Sequence, residues 1–561
     1  MTEADIQTII DGLSVEQKIG QLFLGDVAGD EPLDSVKRNF ETNRPGGFEF
    51  SAVFRRFVRG GDYIPCGVAR LRPPEAKAEF LWQVRRAAHE IIGIPTLGAV
   101  DQEGGMENSH FRAGPFVVTP NQMGVGAIDS PEDAYTTGRI AASQVKAVGV
   151  DQIFGPCLGV NTNPKNPEIA HRSLGDDPGR VAELGEQILA AYHDHGIIAT
   201  AKHFPGRGHG GMNAHAELEV IDVDRAHLDT YELPPFRRAI AAGVPTIMMA
   251  HTIYPGLGEA KLPASLSPVV IQDVLRKDLG FEGIVFPDDI TMFAISNNFE
   301  IPTACAMCIA AGSDMILMKV NELIAPAIEQ IKQYLLAGRI SDEQLNASLV
   351  RILKLKRDYG IFDIQASTAA RAKEVVGSRG LVEAGEDLAR KAVMVLRNED
   401  GVLPLKCRAP LIIVPRDLNV VVANDPDRYH DMLQRSLHAA MPGARTLVVD
   451  VEPTEHQRYE SLAMATDADL ILFAIYGMAS VGSDAGTGRG MAGLLDFVLE
   501  QGKPVVVLLT GVPYVAGELP SGVKGIVCSF GISPYAFAAA ANVMLVKEAP
   551  HGKLPVTVPG L

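Results

Sequence analysis

The sequence predicts an α/β protein in which a TIM-type (β/α)8 barrel is followed by a smaller α/β sandwich domain with an open sheet. Short apolar runs of strand length alternate with longer amphipathic stretches of helix length, a pattern typical of parallel βαβ units. About eight such units occupy roughly the first 350 residues, the size of a barrel with insertions. Because a chain of 561 residues exceeds one ordinary core, a second domain is expected. We therefore predict the barrel over residues 1–365, a linker over 366–380 and the sandwich over 381–561.

The individual elements follow from the same periodicity. Ser14 and Gln17 have the spacing of a capping box that opens an early helix. Barrel strands are expected near residues 22–24, 46–50, 96–100, 152–154, 197–203, 246–251, 284–286 and 315–318. Helices are expected at residues 76–91, 131–148, 180–195, 228–242, 268–279 and 342–359. The second sheet is expected to be covered on both faces. Its strands are expected at residues 411–415, 446–451, 470–476, 505–510, 525–530 and 554–558. Residues 46–72 form a long, arginine-rich stretch that predicts an irregular insertion.

Composition excludes several classes of protein. A net charge of −17 argues against a general affinity for nucleic acid or for anionic membranes. No apolar run approaches the ~20 residues that a membrane span needs. The first residues are acidic and amphipathic and lack the basic start and apolar centre of a secretory signal. Together with only six cysteines, this predicts a cytoplasmic location with reduced thiols.

Two short motifs could indicate a metal or a nucleotide cofactor, and neither is complete. Cys305 and Cys308 form one CxxC pair without a second pair or a histidine cluster, so buried small side chains are expected there. Gly488, Gly490 and Gly493 match GxGxxG, but this run begins about ten residues beyond its strand, outside the tight turn of a dinucleotide site. The sequence therefore predicts no metal site and no cofactor.

The stretch around Lys202 and His203 is predicted to be the centre of a functional site. Both residues come at the end of an apolar strand, and a loop with glycines at 206, 208, 210 and 211 follows them. Loops of this kind are often functional, because a rigid scaffold holds them while their own packing stays weak. Cationic and titratable groups at a strand end suit a polar small molecule.

Polar residues also follow the other predicted strands. They are Asp101 and Glu103, Arg172 within HRSLGDDP, His251, and the pair Asp288 and Asp289. Because successive barrel strands end on one face, these groups should converge on a site for a polyhydroxylated ligand. Structural roles remain alternatives. A strand-end aspartate can cap a helix, and His203 and His251 can be hydrogen-bonded within the protein. Arg172 can pair with Asp176 or Asp177.

Five motifs in order resemble the bacterial β-N-acetylglucosaminidases (β-hexosaminidases) of glycoside hydrolase family 3. They are LSVEQKIGQLF at 13–23, VDQEGG, GVNTNPKNP with HRSLGDDP, AKHFPGRG, and FPDDITM. Residues 393–405, VMVLRNEDGVLPL, resemble the start of the second domain of two-domain members. The resemblance implies a retaining double displacement through a covalent glycosyl-enzyme.

The resemblance also implies roles for single residues. Asp288 matches the nucleophile, and its neighbour Asp289 is expected to cap or orient, because adjacent strand residues point in opposite directions. Asp101 matches a sugar-hydroxyl ligand. The side chains expected to bind the ring hydroxyls and the acetamido group, or to line the same site, are Arg172, Lys202, His203, Arg207 and His251.

The acid/base position departs from the family pattern. His215 falls on the histidine of the family's Asp-x-His dyad, and Asn213 falls on its aspartate. An amide cannot stabilise an imidazolium as a carboxylate does, so proton transfer should be altered. Glu217 or Glu219 could substitute for the acid.

Two further departures lie near the predicted site. Ser109 stands where relatives commonly carry a substrate-contacting arginine, and either His110 or Arg112 could fill that space. Gly159 stands where relatives tend to carry aspartate.

Three functions therefore stay open. The first is a retaining exo-β-glycosidase, namely a β-N-acetylglucosaminidase or β-N-acetylhexosaminidase. The second is a glycoside phosphorylase or transglycosylase, because a histidine without an anionic partner repels phosphate less, and Arg207 and His209 add positive potential. The third is a catalytically weak sugar-binding protein on the same barrel. Each implies a small-molecule or oligosaccharide partner, and a homodimer is left open.

Overall fold

The computed structural model describes residues 1–561 apart from residues 30, 52, 58–62, 69–72, 107–108, 113, 215, 365, 417–428, 478–488 and 546–547. Its strands, numbered in chain order, are β1 (Phe23–Ala28), β2 (Gly47–Ser51), β3 (Val53–Phe57), β4 (Tyr63–Val68), β5 (Leu97–Asp101), β6 (Gln152–Phe154), β7 (Ile198–Phe204), β8 (Glu219–Val220), β9 (Thr246–Met249), β10 (Thr252–Ile253), β11 (Ile284–Pro287), β12 (Ile316–Leu317), β13 (Met394–Asn398), β14 (Leu411–Pro415), β15 (Arg445–Val449), β16 (Ile471–Ile475), β17 (Val505–Leu509) and β18 (Val523–Cys528).

The α-helices are numbered in the same way. They are α1 (Glu3–Asp11), α2 (Val15–Gly20), α3 (Leu33–Asn43), α4 (Pro74–Ile92), α5 (Gln122–Ile128), α6 (Pro131–Ala147), α7 (Pro178–Asp194), α8 (Arg225–His227), α9 (Leu233–Ala241), α10 (Phe293–Ser296), α11 (Ile301–Ala311), α12 (Ile324–Leu336), α13 (Asp342–Asp358), α14 (Ala369–Val375), α15 (Arg379–Ala392), α16 (Tyr429–Ala440), α17 (Glu455–Thr466), α18 (Arg489–Leu499) and α19 (Pro534–Met544). Wider π-helical turns run over Leu228–Glu232 and Val269–Asp278. Among the described residues, no helix combines the length and the apolar character that crossing a bilayer requires.

Eight parallel strands form the predicted barrel. They follow one another in the order β11-β9-β7-β6-β5-β2-β1-β12, which is sequential around the barrel. The ring closes where Met315 N donates to Val285 O at 3.2 Å and Ile290 N donates to Leu317 O at 3.1 Å. The fold-class prediction is confirmed, including the early strand, which runs over Phe23–Ala28. The predicted capping box of Ser14 and Gln17 opens α2, as expected.

The arginine-rich insertion contains regular structure that the sequence reading missed. The backbone of Val53–Phe57 pairs antiparallel with that of Tyr63–Val68, so part of residues 46–72 forms a two-stranded ribbon beyond β2. Aromatic and β-branched residues in both segments favour strands. The charged residues between them concealed this signal in the sequence.

The second sheet has the order β13-β18-β17-β16-β14-β15. All its pairings are parallel except that of β13, which lies antiparallel beside β18. The predicted strand at 554–558 is wrong, because this segment runs along the barrel instead. There, Asp176 N donates to Pro555 O at 3.2 Å and Thr557 N donates to Asp176 Oδ2 at 2.6 Å. An apolar run buried between domains has the same composition as a buried strand, so the sequence could not separate the two.

The chain between the two sheets is helical rather than extended. Helix α14 lies within the predicted linker, and Ala372 and Val376 are buried in the barrel's hydrophobic core. The boundary over residues 366–380 stays a prediction. The domains share buried surface, since Met123 and Ala127 of α5 pack into the core of the second sheet and Asn121 N donates to Phe530 O at 3.2 Å.

Asp314 is expected to be essential for closing the barrel. Its fully buried carboxylate accepts hydrogen bonds from Arg276 Nη2 at 2.7 Å, Arg351 Nη1 at 2.9 Å and Val285 N at 2.9 Å. Replacing Asp314 by alanine leaves these donors without their acceptor. We expect the free energy of unfolding of the barrel to fall by about 3–5 kcal/mol. Thermal and urea unfolding followed by circular dichroism measure the change.

The exposed Asp358, at the end of α13, supplies the matched control for this measurement. Its ion pair with Arg357 is solvent-exposed, so Asp358→Ala should change the free energy of unfolding by no more than about 0.5 kcal/mol. Equal effects of the two substitutions would contradict the assignment of Asp314.

Candidate active site

The predicted site residues meet at the C-terminal end of the barrel strands. Asp101 is the last residue of β5, Lys202 and His203 lie near the end of β7, and Asp288 directly follows β11. Parallel strands in a closed barrel bring these ends to one face, where barrel enzymes bind their ligands. The structure therefore brings together groups that are far apart in the sequence.

Glu103 binds two cations of the site, Arg172 and Lys202. Its carboxylate accepts a bidentate pair of hydrogen bonds from Arg172, Nε to Oε2 at 2.8 Å and Nη2 to Oε1 at 2.9 Å. Lys202 Nζ lies 2.7 Å from Glu103 Oε1 and 2.8 Å from Asp101 Oδ1. Burial raises the pKa of Asp101, but the positive charges of Lys202 and Lys319 outweigh it and hold that pKa well below its usual range. Asp101 is therefore ionised at neutral pH.

Arg172 does not use the structural partners that the sequence offered. Asp177 accepts a hydrogen bond from Arg180 N at 2.8 Å and caps α7, whereas Asp176 binds the second domain. Arg172 is turned instead toward Glu103 and Glu168, inside the site. The alternative of a pair between Arg172 and these aspartates is therefore wrong.

His203 lies between Arg172 and Asp288. Its Nε2 is 3.3 Å from Arg172 Nη2 and 3.4 Å from Asp288 Oδ2. Burial, followed by the charges of Arg172 and Lys202, holds the pKa of His203 well below its usual range. The ring is therefore neutral at neutral pH, and Asp288 faces an uncharged imidazole.

The two adjacent aspartates have different surroundings, as expected. Asp289 is buried, and its Oδ1 accepts hydrogen bonds from the backbone N and the hydroxyl of Thr291 at 3.1 and 2.8 Å. The side chain of Asp288 keeps 19% of its surface exposed. The prediction that only one carboxylate of the pair faces the pocket stays a prediction, and the different exposure of the two side chains agrees with it.

His251 is engaged on both ring nitrogens. Nδ1 lies 2.8 Å from Ser265 Oγ, and Nε2 lies 3.1 Å from the backbone oxygen of Asp289. This geometry agrees with the structural alternative for His251. Its contact with a ligand stays a prediction.

Glu168, which the sequence reading missed, connects the site to the glycine-rich loop. Its Oε2 lies 2.5 Å from Arg207 Nη1 and accepts a hydrogen bond from Ala214 N at 2.9 Å, and its Oε1 lies 3.4 Å from Arg172 Nη1. A signal was present, because Glu168 precedes Arg172 by four residues, the spacing of a local ion pair. Arg207 is thus buried against acids rather than directed at open solvent.

The glycine-rich loop uses one of its own candidate acids internally. Glu219 Oε1 accepts hydrogen bonds from Gly211 N at 2.6 Å and Met212 N at 2.9 Å, while Oε2 lies 3.4 Å from Arg207 Nη2. This use of its carboxylate argues against Glu219 as a substitute acid.

Asn213 begins a turn in which its backbone oxygen accepts hydrogen bonds from Ala216 N and Glu217 N. His215 lies outside the described residues.

A second lysine, also missed, approaches Asp101 from the last barrel strand. Lys319 Nζ lies 2.8 Å from Glu49 Oε1 and 3.7 Å from Asp101 Oδ2. Burial raises the pKa of Glu49 to about 8 against the opposing charge of Lys319. Atoms of Glu49, Asp101 and His110 come within 4.8 Å of one another, a spacing that a metal could use. The ammonium of Lys319 already supplies a cation at this position.

His110 rather than Arg112 lies beside Asp101. His110 N donates to the backbone oxygen of Asp101 at 3.0 Å, and its Nδ1 faces Phe50 O at 3.0 Å. Burial lowers the pKa of His110 to about 4, against the attraction of Asp101. Arg112 Nη1 donates to Met106 O at 2.6 Å. Of the two candidates for the space at Ser109, the neutral histidine is the one next to the site.

Comparison with known proteins identifies the class of enzyme. Residues 15–355 match the family model described as "Glycosyl hydrolase family 3 N terminal domain", and residues 393–560 match "Glycosyl hydrolase family 3 C-terminal domain". The chain belongs to glycoside hydrolase family 3. It is a glycoside hydrolase built on the two domains described above.

Individual relatives show which members of the family the chain resembles. "Beta-hexosaminidase" of Stenotrophomonas maltophilia (strain K279a) is 36% identical over 273 residues, which are 48% of this chain and 80% of that protein. "Beta-hexosaminidase A" of Pseudoalteromonas piscicida is 26% identical over 524 residues, 83% of each chain. The solved glycoside hydrolase family 3 β-N-acetylglucosaminidase from Paenibacillus sp. str. FPU-7 superposes with a TM-score of 0.87 at 28% identity, over 98% of this chain and all of that chain.

Glu232 is expected to make stability depend on pH. It is fully buried beneath the glycine-rich loop, and its Oε1 accepts a hydrogen bond from His209 N at 3.2 Å. Burial raises the pKa of Glu232 from 4.5 to about 8. Folding therefore takes up a proton between these values, and the free energy of unfolding falls as pH rises through that window. Replacing Glu232 by glutamine removes this contribution.

Thermal unfolding of wild type and Glu232→Gln between about pH 5 and pH 8 measures this effect. The free energy of unfolding of the variant, relative to wild type, should increase by up to about 1.4 kcal/mol per pH unit. The exposed Glu374→Gln is the control and should run parallel to wild type. A difference between Glu232→Gln and wild type that stays constant with pH would contradict the expectation.

Proposed function

We propose that the chain is a retaining exo-β-glycosidase that releases N-acetylglucosamine, with Asp288 as its nucleophile. The observation that carries the proposal is the setting of Asp288. Its side chain is partly exposed, and the group with which it pairs, among the described side chains, is the neutral His203. Asp101 is also partly exposed, but it is ion-paired to Lys202. By contrast, Glu103, Glu168 and Glu219 are all bound to arginine. A carboxylate without a tightly bound cation keeps the electron density that attack requires.

The reaction follows from this placement. Asp288 attacks the anomeric carbon of the sugar, the bond from that carbon to the leaving oxygen breaks, and the acid protonates the leaving oxygen. Water then attacks the same carbon from the opposite direction and gives its proton to the base, and the ester to Asp288 breaks. Two inversions give net retention.

We assign the acid/base role to His215. The neighbouring Ala214 supports this assignment, because its backbone N is tied to Glu168 at 2.9 Å and its backbone oxygen accepts from Ala294 N at 3.2 Å. Ala294 lies on the segment that follows Asp288. The loop is therefore anchored on both sides of the site at the residue next to position 215. Asn213 stands two residues earlier, where the family dyad has aspartate.

The sugar-binding groups are proposed to be Asp101, Lys202 and Arg172. They form one chain of charge-assisted contacts with Glu103. Preorganised charges of this kind each contribute roughly 1.5–3 kcal/mol to a hydrogen bond with a sugar. The choice of N-acetylglucosamine is supported by the β-hexosaminidase relatives and the β-N-acetylglucosaminidase structure.

The contacts of Arg207 and His209 weaken the case for a phosphorylase. Arg207, expected to attract phosphate, is balanced by Glu168 and Glu219. His209 Nδ1 lies 3.0 Å from Thr162 Oγ1. The observation that still favours a phosphorylase is Asn213, which removes a negative charge beside the acid/base position.

A cytoplasmic location remains part of the proposal and is supported by the free thiols of the described cysteines.

The role of Asp288 is tested with an aryl β-N-acetylglucosaminide. Asp288→Ala should lower kcat/KM on the order of 10³-fold or more, because the variant lacks the carboxylate proposed to form the glycosyl ester. The exposed Asp273→Ala should retain wild-type kcat/KM. A 5-fluoro-sugar substrate should label Asp288, as detected by peptide mass spectrometry. Labelling of another residue, or full activity of Asp288→Ala, would sink the assignment.

Added phosphate separates hydrolysis from phosphorolysis. For a hydrolase, the initial rate should stay constant as phosphate is raised, and free N-acetylglucosamine should be the product. Nuclear magnetic resonance of the product mixture identifies the sugar. Formation of a sugar 1-phosphate at a rate that rises with phosphate would establish the phosphorylase instead. A wild-type enzyme without turnover on any aryl glycoside would favour the sugar-binding alternative.

A further inference from the structure

The second domain reaches the loops around the site through Tyr514. This residue begins a short 3₁₀ turn, Tyr514–Glu518, beyond β17. Asn161 of the barrel donates a hydrogen bond from Nδ2 to the Tyr514 hydroxyl at 2.5 Å. Burial raises the pKa of Tyr514 above its usual value, so the phenol keeps its proton and stays uncharged. The contact is therefore a neutral hydrogen bond between the domains.

Asn161 opens a segment, residues 161–166, that we call the brace. Its side chains hold the turn at 206–211, which begins the glycine-rich loop. Thr162 Oγ1 lies 3.0 Å from His209 Nδ1, Asn163 Nδ2 donates to Gly210 O at 2.8 Å, and Asn166 Nδ2 donates to Arg207 O at 2.7 Å. Three successive contacts thus connect the brace to the turn.

The turn lies directly on the brace, without intervening space. A Cβ atom added to Gly208 would stand 1.7 Å from the oxygen of Val160, which directly precedes the brace, and 3.0 Å from Asn161 N, so no side chain fits at this position. Asn163 N also donates to Gly208 O at 3.2 Å. Because the two backbones touch, a displacement of the brace displaces the turn.

The second domain also holds the far end of the same stretch. Asn161 N donates to Gly175 O at 2.9 Å, and the following Asp176 is bound by Pro555 and Thr557. Residues 161–176 include Glu168, which holds Ala214, and Arg172, which faces His203. The second domain therefore contacts this stretch at both of its ends.

We propose that Tyr514 is a positioning residue for the acid/base loop and that it acts through Asn161. This inference rests on the proposed function, because it concerns the histidine assigned at position 215. The Tyr514 hydroxyl fixes Asn161, the brace fixes the turn at 206–211, and the turn sets where the loop delivers its acid. Asp288 follows a different strand, β11, and is joined to the 161–176 stretch indirectly, through His203 and Arg172. Loss of the hydroxyl should therefore slow protonation of the leaving group more than attack on the sugar.

Substrates with different leaving groups separate an effect on protonation of the leaving oxygen from an effect on attack at the sugar. An aryl glycoside with an acidic phenol departs with little protonation, whereas a phenol of high pKa depends on the acid. In Tyr514→Phe, kcat/KM for the substrate with the basic phenol should fall about fivefold further than kcat/KM for the substrate with the acidic phenol. Asn161→Ala should give the same ratio. The double variant should lose no more than the larger single effect, because both substitutions break one link.

Tyr459→Phe is the matched control. Tyr459 is an exposed tyrosine of the second domain, on α17, and removal of its hydroxyl should leave kcat/KM unchanged for both substrates. If Tyr514 only stabilises the fold, Tyr514→Phe lowers the melting temperature and leaves the ratio of the two substrates unchanged, which would overturn the inference. Should Tyr514→Phe fail to fold, the ratio measured in Asn161→Ala decides. A wild-type chain that hydrolyses neither substrate would instead overturn the proposed function.

Discussion

The carboxylate of Glu103 is the contact on which the arrangement of the site depends. It is buried, and it binds Arg172 through two hydrogen bonds and Lys202 through a third contact. These cations come from chain segments that are separated by strands and helices, so Glu103 fixes their relative position. Without it, two buried positive charges would repel each other and lose their hydrogen-bond acceptor. Ion pairing of this kind is costly to bury, and it is retained here where it orients side chains toward one face of the barrel.

From Glu103 the alternation of charge continues in both directions. Toward the last barrel strand it passes through Lys202, Asp101 and Lys319, and the ammonium of Lys319 also contacts the buried Glu49. Toward the glycine-rich loop it passes through Arg172, Glu168, Arg207 and Glu219. Asp288 stands beside this chain and touches it through a neutral imidazole. The consequence is a carboxylate that is held in place without being neutralised by a neighbouring cation.

Much of the fold and part of the site could be predicted from the sequence. Apolar runs separated by amphipathic stretches identify barrel strands, and strand-end polar residues such as Asp101, Lys202 and Asp288 predict the end of the barrel at which these side chains meet. Glu49 and Lys319 could not be found in this way. Each lies in or beside an apolar strand, and its role depends on the ion pair that the two form across the barrel. The same holds for residues 554–558, whose apolar character suits a strand and a domain interface equally well. Pairing across long sequence separations is a property of the folded chain, which local periodicity does not contain.

The contact of Asp176 with Thr557 joins residues that are 381 positions apart in the chain. During synthesis, an N-terminal domain folds before later domains have left the ribosome. A nascent barrel can therefore close while the stretch around residues 161–176 still lacks its partners at Tyr514, Pro555 and Thr557. This stretch would acquire its contacts with the second domain only after that domain has been synthesised, when the barrel has already taken shape.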